Sequence, residues 1–169
     1  MYITRSQLSE RPGARELAEV ATAAHQHLID SDLMAASLAD TDRSAWSVDE
    51  IAIADEALQR IDAAVVDAQS LIDGFLAQRG YLPLDPVPGI VTTWARAITR
   101  YKLHQDRISD DKDPIVRDYK DALKLLQLTA DGKFSLGADD PITNSPSAID
   151  LRFESDEKVF SREQLTRFR

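Results

Sequence analysis

The sequence contains no cysteine, which excludes a disulfide scaffold, an iron–sulfur centre, a thiolate zinc site and a cysteine nucleophile. Glycine and proline are scarce, at 6 and 7 residues among 169, so the chain is neither a low-complexity nor a collagen-like polymer. No apolar run approaches the ~20 residues that cross a bilayer. Met1-Tyr2-Ile3-Thr4-Arg5 lacks the basic-then-apolar order of a signal peptide. The expectation is a soluble protein with no membrane partner that stays where it is made. Also missing are a Gly-rich phosphate loop, a Gly-x-Ser-x-Gly elbow and a His-Glu-x-x-His run.

What is present is a 43% hydrophobic chain, long enough to bury one core of ordinary domain size. Acids outnumber bases by 29 to 20, for a net charge of −9. The excess is local, because residues 30–73 hold 11 acids against 2 bases, whereas residues 74–136 hold 8 against 10. Such a division suits copies packing head to tail or a face that repels a polyanion. A solvated helix face is the plainer reading of the same pattern.

Helical signals dominate the first four-fifths of the chain. Thr4-Arg5-Ser6-Gln7 fits a capping box and should open a short first helix. Pro12-Gly13 breaks it, and a second helix is expected from Ala14 to about Leu28, with Leu17, Val20, Ala21, Ala24 and Leu28 on one side. A weaker helical piece follows between Asp30 and Asp42. Ser47-Val48-Asp49-Glu50 is a second capping box, and it opens the strongest period in the sequence. Ile51, Ala54, Leu58, Ile61, Val65, Ala68, Ile72 and Phe75 recur at steps of three and four. A helix of roughly thirty residues, about 45 Å long, is predicted over Ser47–Gln78. Ile53, Ala57, Ala64, Val66 and Leu71 widen its stripe, so it should pack on two sides.

Pro83, Pro86 and Pro88 make residues 80–89 an ordered or extended connector. A helix from Ile90 to about Gln105 carries Ile90, Trp94, Ile98 and Tyr101 on one face and Arg96, Arg100 and Arg107 opposite. Pro114 suits the first turn of a last helix, whose core stripe is Ile115, Tyr119, Ala122, Leu123 and Leu126. Asp131-Gly132 ends it. After Gly137 the composition becomes that of a linker, with Asp139-Asp140-Pro141 and Asn144-Ser145-Pro146-Ser147. Leu151-Arg152-Phe153 and Val159-Phe160 have the alternation of a short β-hairpin, and Ser161-Arg162-Glu163-Gln164 fits a third capping box. The fold class expected is all-α, a helical bundle around one long central helix. Residues 1–136 form the body and residues 137–169 an arm able to form a short hairpin.

Candidates for chemistry are few. His25-Gln26-His27 would place its two imidazoles about 200° apart on a helix, too far to share an ion. Asp40-Thr41-Asp42 begins like a calcium loop, but Ala45 stands where the turn glycine belongs and Ile51 where the bidentate Glu belongs. Carboxylate pairs such as Asp62 with Asp67, or Asp118 with Asp121, are expected by chance at this acid content. Arg96, Arg100 and Arg107, and separately Arg117, Lys120 and Lys124, form basic stripes that could track phosphates. They are interleaved with Asp106, Asp118 and Asp121, and they lack aromatic partners for bases. No catalytic residue, metal or cofactor is expected, and the protein should not be an enzyme. The six large apolar residues Leu151, Phe153, Val159, Phe160, Leu165 and Phe168 are the candidate partner-binding set. They crowd a segment too short for a core of its own.

Several stretches in order resemble one family. They are Met1-Tyr2-Ile3-Thr4-Arg5-Ser6-Gln7-Leu8, Leu71-Ile72-Asp73-Gly74-Phe75-Leu76-Ala77-Gln78-Arg79, Leu82-Pro83-Leu84 and Trp94-Ala95-Arg96-Ala97-Ile98-Thr99-Arg100-Tyr101-Lys102-Leu103. Later come Gly132-Lys133-Phe134-Ser135-Leu136-Gly137 and Val159-Phe160-Ser161-Arg162-Glu163-Gln164-Leu165. Together they resemble the Mu-like phage protein family typified by Mu gene product thirty-six. The resemblance implies a phage or prophage virion structural protein, all-helical and similar to head–tail connector adaptors that assemble as rings. It also implies other head and tail proteins as partners, and residence in the virion after the bacterial host cytoplasm. No catalytic residue is implied. The alternative is a small helical DNA-associated protein using the basic stripes, although the acidic total disfavours specific nucleic-acid binding.

Overall fold

The computed structural model describes residues 1–108 and 110–137 of the chain. The expected hairpin, the third capping box and all six candidate partner-binding residues lie outside the described residues. The body is helical, and no strand occurs among the described residues. In chain order the helices are α1 (Arg5–Leu8), α2 (Ala14–Ala21), α3 (Ser31–Leu38), α4 (Val48–Gln78), α5 (Gly89–His104) and α6 (Pro114–Ala130). One wide turn, Ser9–Gly13, joins α1 to α2, and it is interrupted by an extended Arg11.

α4 is the spine, and both of its ends are chemically defined. At its start the Ser47 hydroxyl accepts from the Glu50 N–H at 3.3 Å, and the Glu50 carboxylate accepts from the Ser47 N–H at 2.9 Å. The expected capping box is therefore formed. At its end Gly80 adopts φ +76°, and the Tyr81 N–H turns back to the Leu76 carbonyl at 3.2 Å. A left-handed residue after the last turn satisfies carbonyls that a continuing helix would have used, and glycine adopts it without steric cost. Between these ends Ala54, Ala57, Leu58, Ile61, Ala64, Val65, Ala68, Ile72 and Leu76 are buried. The four alanines let neighbouring helices approach closely, and the large residues between them fill the core.

α2 and α3 pack on the N-terminal half of α4, where Arg60 donates to the Ala21 carbonyl and Arg43 pairs with Asp55. α5 returns along the C-terminal half, with Lys102 near its end lying 3.8 Å from Asp67. α6 packs against both α4 and α5. The first residues run along the spine, because Tyr2 donates to Asp73 while Arg5 pairs with Asp62. The two-sided packing expected of α4 is thus observed, although Val66 is 59% exposed and lies outside the stripe.

Three details depart from the expectation. α2 stops at Ala21 rather than near Leu28. The N–H and hydroxyl of Thr22 both return to the Ala18 carbonyl, and Arg60 takes the freed Ala21 carbonyl, so the helix end is satisfied early. The extended stretch beyond buries Ile29 and leaves Leu28 64% exposed. In α6, Tyr119 and Leu123 are only partly buried. Tyr119 lies over Tyr101 in a stacked pair with centroids 3.9 Å apart, and the core side of α6 is Ile115, Val116, Ala122, Leu126 and Thr129. Finally, Arg107 falls beyond the end of α5 and so does not extend that helix's basic face.

Candidate functional site

A groove of about 650 Å³ is lined by α5, α6 and the Arg11–Pro12 turn. α5 supplies Ile90, Trp94 and Ala97 to its floor, and α6 supplies Ala122 and Leu125. Residues three and four apart on a helix share a face, so Ile90 and Trp94 of the expected core stripe, joined by Ala97, line this groove. The lining is charged in both signs, with Arg11 from the turn, Arg96 from α5, and Asp118 and Asp121 from α6. Nε of Arg96 is buried and has no hydrogen-bond partner among the described residues. An unpaired buried donor of this kind is costly unless an acceptor reaches it.

The floor of one flank is an ion cluster. The Arg100 guanidinium grips Glu16 of α2 through both nitrogens, Nε to Oε1 at 2.5 Å and Nη2 to Oε2 at 2.8 Å. His104 Nε2 meets the same carboxylate at 2.9 Å. Burial raises the Glu16 carboxyl, but the hydrogen bonds from Arg100 and His104 outweigh it and hold the group below its ordinary value. The Arg100 guanidinium is correspondingly raised by its bond to Glu16. The sequence places Arg100 on a basic stripe of α5 and gives no sign of Glu16 as its partner. The available signal was the i, i+4 spacing of Arg100 and His104, which puts two donors on one side of α5.

A second concavity, of about 380 Å³, lies under the proline connector between Gly80 and Pro88 and is also lined by Leu136 and Gly137. Phe134 contacts Trp94 with ring centroids 6.1 Å apart, and the Leu136 N–H donates to the buried Tyr81 hydroxyl at 3.3 Å. The chain after α6 therefore crosses the α5 face to reach the connector.

The remaining sequence candidates are dispersed. His25 and His27 sit in the turn after α2 and are exposed, not on a helix as expected. Among the described residues no group of three or more His, Cys, Asp or Glu could hold a metal ion. Asp42 accepts from the Ser44 N–H and hydroxyl, closing a local turn. Asp62 and Asp67 each face a cation, Arg5 and Lys102, rather than one another. Arg117, Lys120 and Lys124 remain exposed on α6, with Lys120 3.2 Å from Asp111. No helix among the described residues is long and apolar enough to cross a membrane.

The described residues form a helical body built on one spine helix, with an open groove beside α5 and α6. The family model described as "Bacteriophage Mu, Gp36" matches residues 2–153, and the chain belongs to that family. "Gene product J" of Escherichia phage Mu is 34% identical over 104 residues, covering 61% of this chain and 72% of that protein. The "Mu-like prophage FluMu protein gp36" of Haemophilus influenzae is 32% identical over 103 residues, 61% of this chain and 71% of that protein. The family match takes in Leu151 and Phe153 and ends before Val159, Phe160, Leu165 and Phe168.

Proposed function

We propose that this phage or prophage protein is a non-enzymatic virion assembly component, a head–tail connector or adaptor working through protein–protein contacts. Its partners are other head and tail proteins and copies of itself in a ring. It resides in the virion and, before assembly, in the host cytoplasm. The observation that carries the reading is membership of a family found in phage Mu and a Mu-like prophage, combined with a rigid body that presents a groove of both charge signs over an apolar floor. A connector must hold its shape while contacting neighbours on more than one side. A 31-residue spine clasped at each half by different helices meets that requirement. The division of charge also supports packing of unlike ends, since Asp32 of α3 and Asp49 and Glu50 at the start of α4 lie on the half of the spine that α2 and α3 clasp.

The test is to induce a prophage carrying the gene, purify particles through a density gradient, and quantify the chain by mass spectrometry. A fixed ratio of this protein to the major capsid protein, surviving a high-salt wash, is the expected result. Its absence from particles while it is abundant in the lysate would overturn the proposal.

A further inference from the structure

We infer that the groove between α5, α6 and the Arg11 turn is the receptor for residues 151–168 of this same chain type. The inference rests on reading those residues as a docking segment, and it adds the surface they dock on. Three observations favour this occupant. Phe134 lies against Trp94, itself a groove residue, and Leu136 and Gly137 then lie against the Gly80–Pro88 connector that leads into groove residue Ile90. From Gly137, the 13 residues 138–150 reach up to about 45 Å when extended, enough to lay residues 151–168 along a groove on either their own body or an adjoining copy.

Composition also matches. Leu151, Phe153, Val159 and Phe160 suit a floor of Ile90, Trp94 and Leu125. Glu154, Asp156 and Glu157 suit Arg11 and Arg96, while Arg152 and Lys158 suit Asp118 and Asp121. Tethering holds the segment near its own groove at an effective concentration on the order of millimolar, so occupancy within one chain dominates in dilute solution. In a ring the same contacts can be exchanged with a neighbour.

The full chain with a photoreactive benzoylphenylalanine in place of Thr93, an exposed groove residue, tests this directly. Irradiation followed by peptide mapping should give crosslinks to residues 151–168, within one chain in dilute protein. The same group in place of Lys124, exposed on α6 away from the groove, should give at least tenfold fewer. Glu154→Lys, Asp156→Lys and Glu157→Lys together should cut the yield at Thr93 at least fivefold without touching the body. Adding Arg96→Glu to that triple variant should restore it. Links confined to residues 1–137, no links, or equal yields from positions 93 and 124 would overturn the inference. If particles contain the protein but these crosslinks fail, only the groove assignment falls. If the crosslinks form but particles lack the protein, only the assembly reading falls.

Discussion

Glu16 shows how one side chain can tie together elements that sequence periodicity treats separately. It sits on α2, yet its carboxylate is held by Arg100 and His104 of α5. Because its folded value is depressed, its contribution to stability is complete above the ordinary carboxylate value of 4.5 and is lost as pH falls through the lower folded value. Glu16→Gln should therefore lower stability at pH 7 by about 1–2 kcal/mol. That figure is discounted from that of a fully buried pair because the two side chains are 25% and 32% exposed. Urea midpoints measured from pH 7 to pH 3 should converge for wild type and variant at the acid end, and parallel profiles would refute the role. Thr99 presents the opposite case. It is 0% exposed, and its hydroxyl has no partner among the described residues. Thr99→Val removes an unsatisfied polar atom at nearly constant shape, so it should raise the urea midpoint by the equivalent of about 1 kcal/mol. A loss of stability would mean that the hydroxyl is bonded.

At the scale of elements, the clearest sequence signals were those with a local cause. The capping boxes at Thr4 and Ser47 formed as read, because a hydroxyl and a carboxamide or carboxylate three residues apart can satisfy each other's backbone without help from the rest of the chain. Ser47→Ala should cost about 1 kcal/mol, read as a lower melting temperature with unchanged helical circular dichroism in the folded baseline. No change in melting temperature would show that the long helix does not depend on its cap. The long period of α4 was legible for a related reason, since a stripe sustained over 31 residues leaves no competing register. The end of α2 was not legible. Its apolar pattern continues through Ala24 and Leu28, and what halts it is Arg60, thirty-nine residues away in sequence, donating to Ala21. The groove was hidden for a similar reason. Ile90 and Trp94 read as ordinary core, and only the placement of α6 and the Arg11–Pro12 turn beside them makes a lined recess.

For the whole molecule, the decisive feature is that the spine carries two different halves, and charge follows them. The first of the basic stripes that favoured a nucleic-acid reading is broken in three dimensions, since Arg100 is committed to Glu16 and Arg107 falls beyond the end of α5. What remains exposed, Arg107, Arg117, Lys120 and Lys124, belongs to a chain of net charge −9, which disfavours approach to a polyanion. Under the proposed assembly role, the last 32 residues should matter for entry into particles. Among the described residues the core cluster runs from Tyr2 to Leu126, with partly buried residues up to Leu136 packed against it. A tethered segment resting in the groove adds only RT ln(1 + K), about 1 kcal/mol if the docked form outnumbers the free one by severalfold. Deleting residues 138–169 should accordingly lower the melting temperature by less than about 5 °C. The same deletion should remove the protein from particles, leaving tail-less heads and unattached tails visible by electron microscopy. A truncated chain that still enters particles would make the arm dispensable to assembly. One that melts more than about 10 °C earlier would make residues 138–169 part of the core, and the division of the chain into body and arm would then be wrong.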